Sequence, residues 1–124
     1  MQVKVCGITQ MEQAEALAQL PIQYIGFIFH APSKRYVLNS MSLDALKNFR
    51  PAKQQKVGVF VNESIEKVLQ IAQQANLDYI QLHGEEDVAY CARIQEKFPV
   101  IKVFRVANLL PDFAHFDTVS TYYL

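Results

Sequence analysis

The chain has 124 residues, 51% of them apolar, with twelve acidic side chains against twelve basic ones. That length suits one domain with a real core. The charge balance speaks against a general nucleic-acid or membrane-surface binder, which needs a basic excess.

Strand and helix patterns then alternate along the chain. Val3 to Cys6 reads as a first strand. Gly7 turns the backbone, and Thr9 with Glu12 reads as a capping box opening a helix over 10–20, whose apolar face is Met11, Ala14, Leu17 and Ala18. Tyr24 to Phe29 is a near-continuous apolar run, as expected of a strand covered on both faces. A loop from His30 to Tyr36 precedes a helix from about Ser42 to Phe49. Lys56 to Val61 is a third strand, and Asn62 can cap a helix with the core face Ile65, Val68, Leu69 and Ala72. Asp78 to Leu82 is a fourth strand. Gly84-Glu85-Glu86-Asp87 opens another helix with three acids in its first turn, which suits the helix dipole. Val88, Cys91, Ala92 and Gln95 form its inner face, making Cys91 a core thiol. Pro99 to Arg105 is a fifth strand, a polar segment with Asn108 and Asp112 follows, and Val119 to Leu124 is a sixth strand.

This alternation predicts a single α/β domain over 1–124 with a parallel sheet and right-handed crossovers. Two architectures fit: a flavodoxin-like open sheet, or an incomplete (β/α)8 barrel of about five βα units plus a sixth strand. The last residues, Tyr122-Tyr123-Leu124, read as the middle of a strand. A barrel is therefore expected to belong to a longer polypeptide, or to be completed by association, with a homodimer as one form. Cys6 and Cys91 lie too far apart for a metal spacing or a disulfide framework. Without a signal-like leader or a membrane-length run, a reducing cytoplasm is the expected setting.

Cys6 is the most reactive candidate. It stands where a strand gives way to a helix signal, the side on which α/β proteins bind ligands. Lys4 shares its face of the strand. A cation and a helix terminus both favour thiolate, the reactive form. The competing reading is a buried apolar thiol at a strand end.

Five stretches carry a family resemblance. They are Val3-Lys-Val-Cys-Gly-Ile-Thr9, Gly26-Phe-Ile-Phe29 with Ser33-Lys-Arg-Tyr36, Val57-Gly-Val-Phe-Val-Asn62, Tyr79-Ile-Gln-Leu-His-Gly84, and Ile101-Lys-Val-Phe-Arg105. Their order and spacing resemble phosphoribosylanthranilate isomerase, a (β/α)8 barrel of tryptophan biosynthesis. The resemblance favours the barrel over the open sheet. It implies an Amadori rearrangement, in which N-(5′-phosphoribosyl)anthranilate becomes 1-(2-carboxyphenylamino)-1-deoxyribulose 5-phosphate without a metal or redox cofactor. The expected partner is thus a small phosphosugar-anthranilate, with no nucleic acid and no membrane.

By the same resemblance Cys6 matches the general base, and Arg35 matches the arginine facing the anthranilate carboxylate. A guanidinium fork suits a planar carboxylate. Lys34 beside it faces solvent. Gln81 and His83 share a parity on the fourth strand and are expected to line the barrel or its mouth. Lys4 acts on the thiol or forms a polar layer inside the barrel. Asn62 is a cap first and a site residue second, and Arg105 ends the fifth strand on the same rim. The family's acid is an aspartate just after the sixth strand, which residues 1–124 do not reach. Asp112 and Asp117 precede that strand, and neither takes the role. The phosphate-binding loops after strands seven and eight also fall outside these residues. By itself the chain is expected to be inactive. The alternatives are a non-catalytic half-barrel that assembles with or binds another chain, and a nucleophilic thiol enzyme using Cys6 with His83 as base.

Overall fold

The computed structural model describes residues 1–105 and 114–124, so Asn108 and Asp112 lie outside the described residues. Six strands form one sheet: β1 (Lys4–Cys6), β2 (Tyr24–Ile28), β3 (Gln55–Phe60), β4 (Tyr79–Leu82), β5 (Val100–Lys102) and β6 (Tyr122–Tyr123). The helices α1 (Met11–Leu17), α2 (Leu43–Asn48), α3 (Ile65–Gln74) and α4 (Val88–Gln95) join the first five strands. Short 3₁₀ turns cover Val37–Asn39 and Ala114–Phe116. Every strand pair is parallel, and the spatial order is the sequence order, β1 to β6. A flavodoxin-like sheet would place its second strand outside the first, in the order 2-1-3-4-5. Sequential pairing is how a (β/α)8 barrel is laid down, and the described residues build six strands of one.

The register sorts side chains onto two faces. Lys4, Cys6, Tyr24, Gly26, Val57, Tyr79, Gln81, Ile101 and Tyr122 follow one another across the sheet on one face. Tyr24, Val57, Ile101 and Tyr79 form a small cluster there that no helix enters, which marks the barrel interior. The other face carries Ile25, Phe27, Phe60, Ile80, Leu82 and Val100, packed with helix residues such as Ala14, Leu46, Val68, Ala72, Cys91 and Ile94. Phe29 stacks on Phe60 with ring centres 5.2 Å apart, and Phe27 meets Phe49 edge-on at 6.4 Å. Helices cover one face and neighbouring interior side chains bury much of the other, which explains the near-continuous apolar strand runs.

A buried lysine closes the lower end of this layer. Lys56 is 2% exposed and points under the helices. Its Nζ donates to the carbonyls of Leu46 (2.7 Å) and Ala75 (2.9 Å), at the C-terminal ends of α2 and α3. Those carbonyls have no helical donor left and carry the negative end of the helix dipole. Burial holds the Lys56 ammonium below the usual lysine range.

Most elements are shorter than their apolar patterns, and three helix starts differ from expectation. Thr9 and Glu12 form no capping box: α1 begins at Met11, Gln10 makes no side-chain cap, and the Thr9 amide donates to Gln13 Oε1. Ser40 Oγ instead donates to the Thr9 carbonyl, so that loop is tied to the Val37–Asn39 turn. Ser64, rather than Asn62, caps α3, its Oγ accepting the Lys67 amide at 3.3 Å. Asn62 sits at φ +50, a left-handed conformation that a side chain of this type tolerates, and so cannot start a helix. The acids before α4 do not share its first turn. Asp87 is the cap, accepting the Tyr90 amide at 2.8 Å, and Glu86 is buried one residue earlier. The inner face of α4 is carried by Cys91 and Ile94, with Gln95 only half-buried; on α3, Ile71 is buried more deeply than Leu69. Cys91 is a core residue, and burial pushes its thiol up to about 11, leaving it protonated at neutral pH.

Candidate active site

The C-terminal ends of β1, β2, β4 and β5 assemble the candidate side chains. Cys6 ends β1, half-buried, paired in register with Gly26 of β2. A Cβ built on Gly26 would lie 2.9 Å from Cys6 Sγ and 3.2 Å from its Cα. The sulfur therefore occupies the space a β2 side chain would take on the interior face, and only glycine leaves that space open. Gly7 follows at φ +83, and a Cβ there would lie 2.6 Å from the guanidinium carbon of Arg35. The loop after β2 thus folds Arg35 across the end of β1, and Arg35 Nη1 donates to the Cys6 carbonyl at 3.4 Å. Ser33 Oγ accepts the Arg35 amide at 3.1 Å and Tyr36 bridges to Ile28, which fixes the loop that carries the arginine. Arg35 remains exposed, and thiol and guanidinium share one rim. Lys34 is exposed beside it.

Gln81 lies on the interior face between Val59 and Ile101, 4% exposed, and its Oε1 accepts no hydrogen bond among the described residues. His83 follows at the mouth, half-buried, its amide donating to the Phe60 carbonyl at 3.0 Å. Its imidazolium is disfavoured first by burial and then by Arg105, with Lys102 and Lys4 acting in the same sense against the opposing pull of Glu86. Arg105 is exposed just past β5, close enough to act on His83. His83 should therefore titrate below the usual value near 6.5, as a pH series of imidazole NMR shifts would register. The sign for stability follows: between the folded and unfolded midpoints the unfolded chain binds more protons, so stability falls on acidification from about 6.5.

Lys4 stands two residues below Cys6, about 6.5 Å down the strand. It helps line a cavity of about 240 Å³ with Gln2, Tyr24, Ile101, Tyr122 and Leu124. Tyr24, Tyr79 and Tyr122 pack there with ring centres 5.4–6.3 Å apart. The structure thus seats Lys4 in a tyrosine layer inside the barrel wall. Asp117 precedes β6, at the end opposite the rim. Asn62 reaches the rim by another route, its Oδ1 accepting the Glu85 amide at 2.7 Å.

The pattern of residues missed a buried ion pair under this rim, Lys102 with Glu86 at 3.0 Å. The available signal was one lysine within the apolar run of the fifth strand. Among the described residues no group of His, Cys, Asp and Glu could hold a metal ion, and no helix is long and apolar enough to cross a membrane.

The N-(5'-phosphoribosyl)anthranilate (PRA) isomerase family matches residues 3–124. The isomerase of Thermotoga neapolitana is 43% identical over 108 residues, covering 87% of this chain and 52% of that protein. The isomerase of Oceanobacillus iheyensis is 45% identical over 104 residues, covering 84% and 49%. This chain thus spans about half the length of the curated relatives it matches. The crystal structure of the Thermotoga maritima isomerase superposes with a TM-score of 0.78 at 39% identity, covering 87% of this chain and 52% of that one. A phosphoribosylanthranilate isomerase in complex with reduced 1-(o-carboxyphenylamino)-1-deoxyribulose 5-phosphate gives the same TM-score and identity, covering 87% and 55%. With six parallel strands in barrel order, a thiol and a guanidinium on one rim, and this likeness along nearly its whole length, the chain belongs to the N-(5'-phosphoribosyl)anthranilate isomerase family.

Proposed function

We propose that this chain supplies the base and the aromatic-carboxylate clamp of a phosphoribosylanthranilate isomerase. The segment after β6, two further βα units included, completes the barrel with the acid just past β6 and the phosphate cradle after strands seven and eight. Protonation of the ribose ring oxygen opens the ring to a Schiff base. The Cys6 thiolate then takes the C2′ proton; the electron pair forms a C1′=C2′ double bond while the imine π pair moves onto the protonated nitrogen, giving an enaminol. Protonation at C1′ with loss of the C2′ hydroxyl proton leaves the ketone at C2′ and the amine on C1′, an isomerisation with no net redox change. The imine is the electron sink, so the step requires no metal or redox cofactor.

The observation that carries this reading is the placement of Arg35 over Gly7, with its Nη1 on the Cys6 carbonyl. A substrate whose carboxylate pairs with that fork presents its sugar to the sulfur beside it. Gln81, His83 and Arg105 line the rest of the mouth and bind the polar sugar, while Lys4 supports the wall beneath. A soluble biosynthetic enzyme of the cytoplasm fits such a site.

The test is a chimera joining residues 1–124 to the C-terminal part of the Thermotoga neapolitana relative. It should convert phosphoribosylanthranilate to the ketose, seen as a new ketone carbon by NMR, whereas residues 1–124 alone should not. A folded chimera that binds substrate yet never forms the ketose would sink the proposal. Arg35→Met in the chimera should raise KM about tenfold or more with a smaller change in kcat. A charge-assisted hydrogen bond contributes roughly 1.5–3 kcal/mol, and a carboxylate clamp acts on ground and transition states alike.

A further inference from the structure

We infer that the buried Lys102–Glu86 pair is a positioning device for the two rim loops that carry His83 and Asn62. Both side chains are almost fully removed from solvent, 3% and 1% exposed. Their hydrogen bonds, besides the one joining them, reach loop backbone. Glu86 Oε1 accepts the Gly84 amide at 2.9 Å, Glu86 Oε2 accepts the Asn62 amide at 2.8 Å, and Lys102 Nζ donates to the Gly84 carbonyl at 2.8 Å. Asn62 returns the link by accepting the Glu85 amide. The loop after β3 and the loop after β4 are thereby stapled to each other and to β5. His83 lies inside the staple, its own amide held by Phe60 on one side and Gly84 held at both backbone groups on the other.

A buried ion pair is a poor source of net stability, because desolvating two charges offsets most of their attraction. Its geometry, however, is strict: a carboxylate accepting three donors admits little rotation of the loops that supply them. The consequence of this pair is therefore orientation. It holds the His83 imidazole on the interior face at the mouth, level with the rim where Cys6 and Arg35 stand. This inference rests on the isomerase reading for what the mouth binds, but the staple itself is tested without it.

The experiment compares the chain with its Lys102→Met/Glu86→Leu double variant by imidazole ¹H–¹⁵N NMR, and assays both in the chimera. Glu86 raises and Lys102 lowers the His83 midpoint, Glu86 more strongly, so the direct effect of removing both charges is a further lowering and cannot account for a rise. Movement of the ring then reports position. The expected result is a folded protein whose His83 signals broaden and whose titration midpoint returns toward 6.5. In the chimera kcat should fall at least tenfold, while Lys102→Arg keeps most of it. Unmoved His83 signals in the folded double variant would overturn the inference. If the double variant does not fold, Glu86→Gln serves, since its amide nitrogen accepts no proton and must release the Gly84 or the Asn62 amide; an unmoved His83 there overturns the inference equally. Should His83 move while the unmodified chimera fails to isomerise, the positioning role stands and the isomerase reading falls.

Discussion

Cys6→Ser in the completed barrel is expected to lower kcat by about 10²–10⁴-fold, the range a positioned general base contributes, while KM changes little. The reason lies in proton affinity at fixed geometry. Serine fits the gap that Gly26 leaves beside the sulfur, so the substrate seat should be unaltered. A hydroxyl, however, gives up its proton far less readily than a thiol, whose ordinary value is about 8.5, and hardly forms the anion that accepts a carbon-bound proton. A surface-near substitution of this size changes stability within about 0.5 kcal/mol, so a thermal melt run beside the kinetics separates chemistry from folding. Loss of turnover at unchanged melting temperature is the expected pair of results. Turnover equal to the parent's would remove the base assignment. A matching loss of melting temperature would move the effect to the fold.

The alternation of strands and helices was legible because its signals are local, whereas the choice of barrel over open sheet rests on the family resemblance. Each strand is a short apolar run and each helix has a stripe, and both survive being read a dozen residues at a time. What stayed hidden depends on residues far apart in sequence. Lys56 stands at the head of an apolar run and Lys102 breaks one, and a lysine in a strand reads as solvent-facing. Both are buried under the helices, one by carbonyls ten and nineteen residues on either side of it, the other by a carboxylate sixteen residues before it. The capping box of Thr9 and Glu12 does not form because α1 starts at Met11, and the Thr9 amide goes to Gln13 while Ser40 ties the Thr9 carbonyl to another loop. Asn62 has a capping side chain, but its left-handed backbone turns it to the neighbouring loop. The site divides in the same way. Cys6 stands out from its own strand and turn, whereas Arg35, twenty-nine residues later, is an ordinary loop arginine until Gly7 lets its guanidinium lie across the strand end.

The staple beneath that rim has a stability signature of its own. Glu86→Ala should destabilise the protein by roughly 3–5 kcal/mol, because it leaves the Lys102 ammonium buried without its carboxylate and the Gly84 and Asn62 amides without their acceptor. Against a total of about 5–15 kcal/mol for a domain, that is a large share. Lys102→Met/Glu86→Leu removes both charges and fills the space with apolar atoms, so it should lie well above Glu86→Ala, though below the parent, because the Gly84 and Asn62 amides still lack their acceptor. The ordering is counter to counting contacts, since the variant with two residues changed is more stable than the variant with one. Urea midpoints at constant m-value measure it, and the double-mutant cycle isolates the coupling of the two side chains. A Glu86→Ala cost below about 1 kcal/mol would mean that water reaches the ammonium once the carboxylate is gone, which the 3% exposure of Lys102 argues against. A stable double variant that has lost turnover would show that the pair serves the geometry of the mouth more than the survival of the fold.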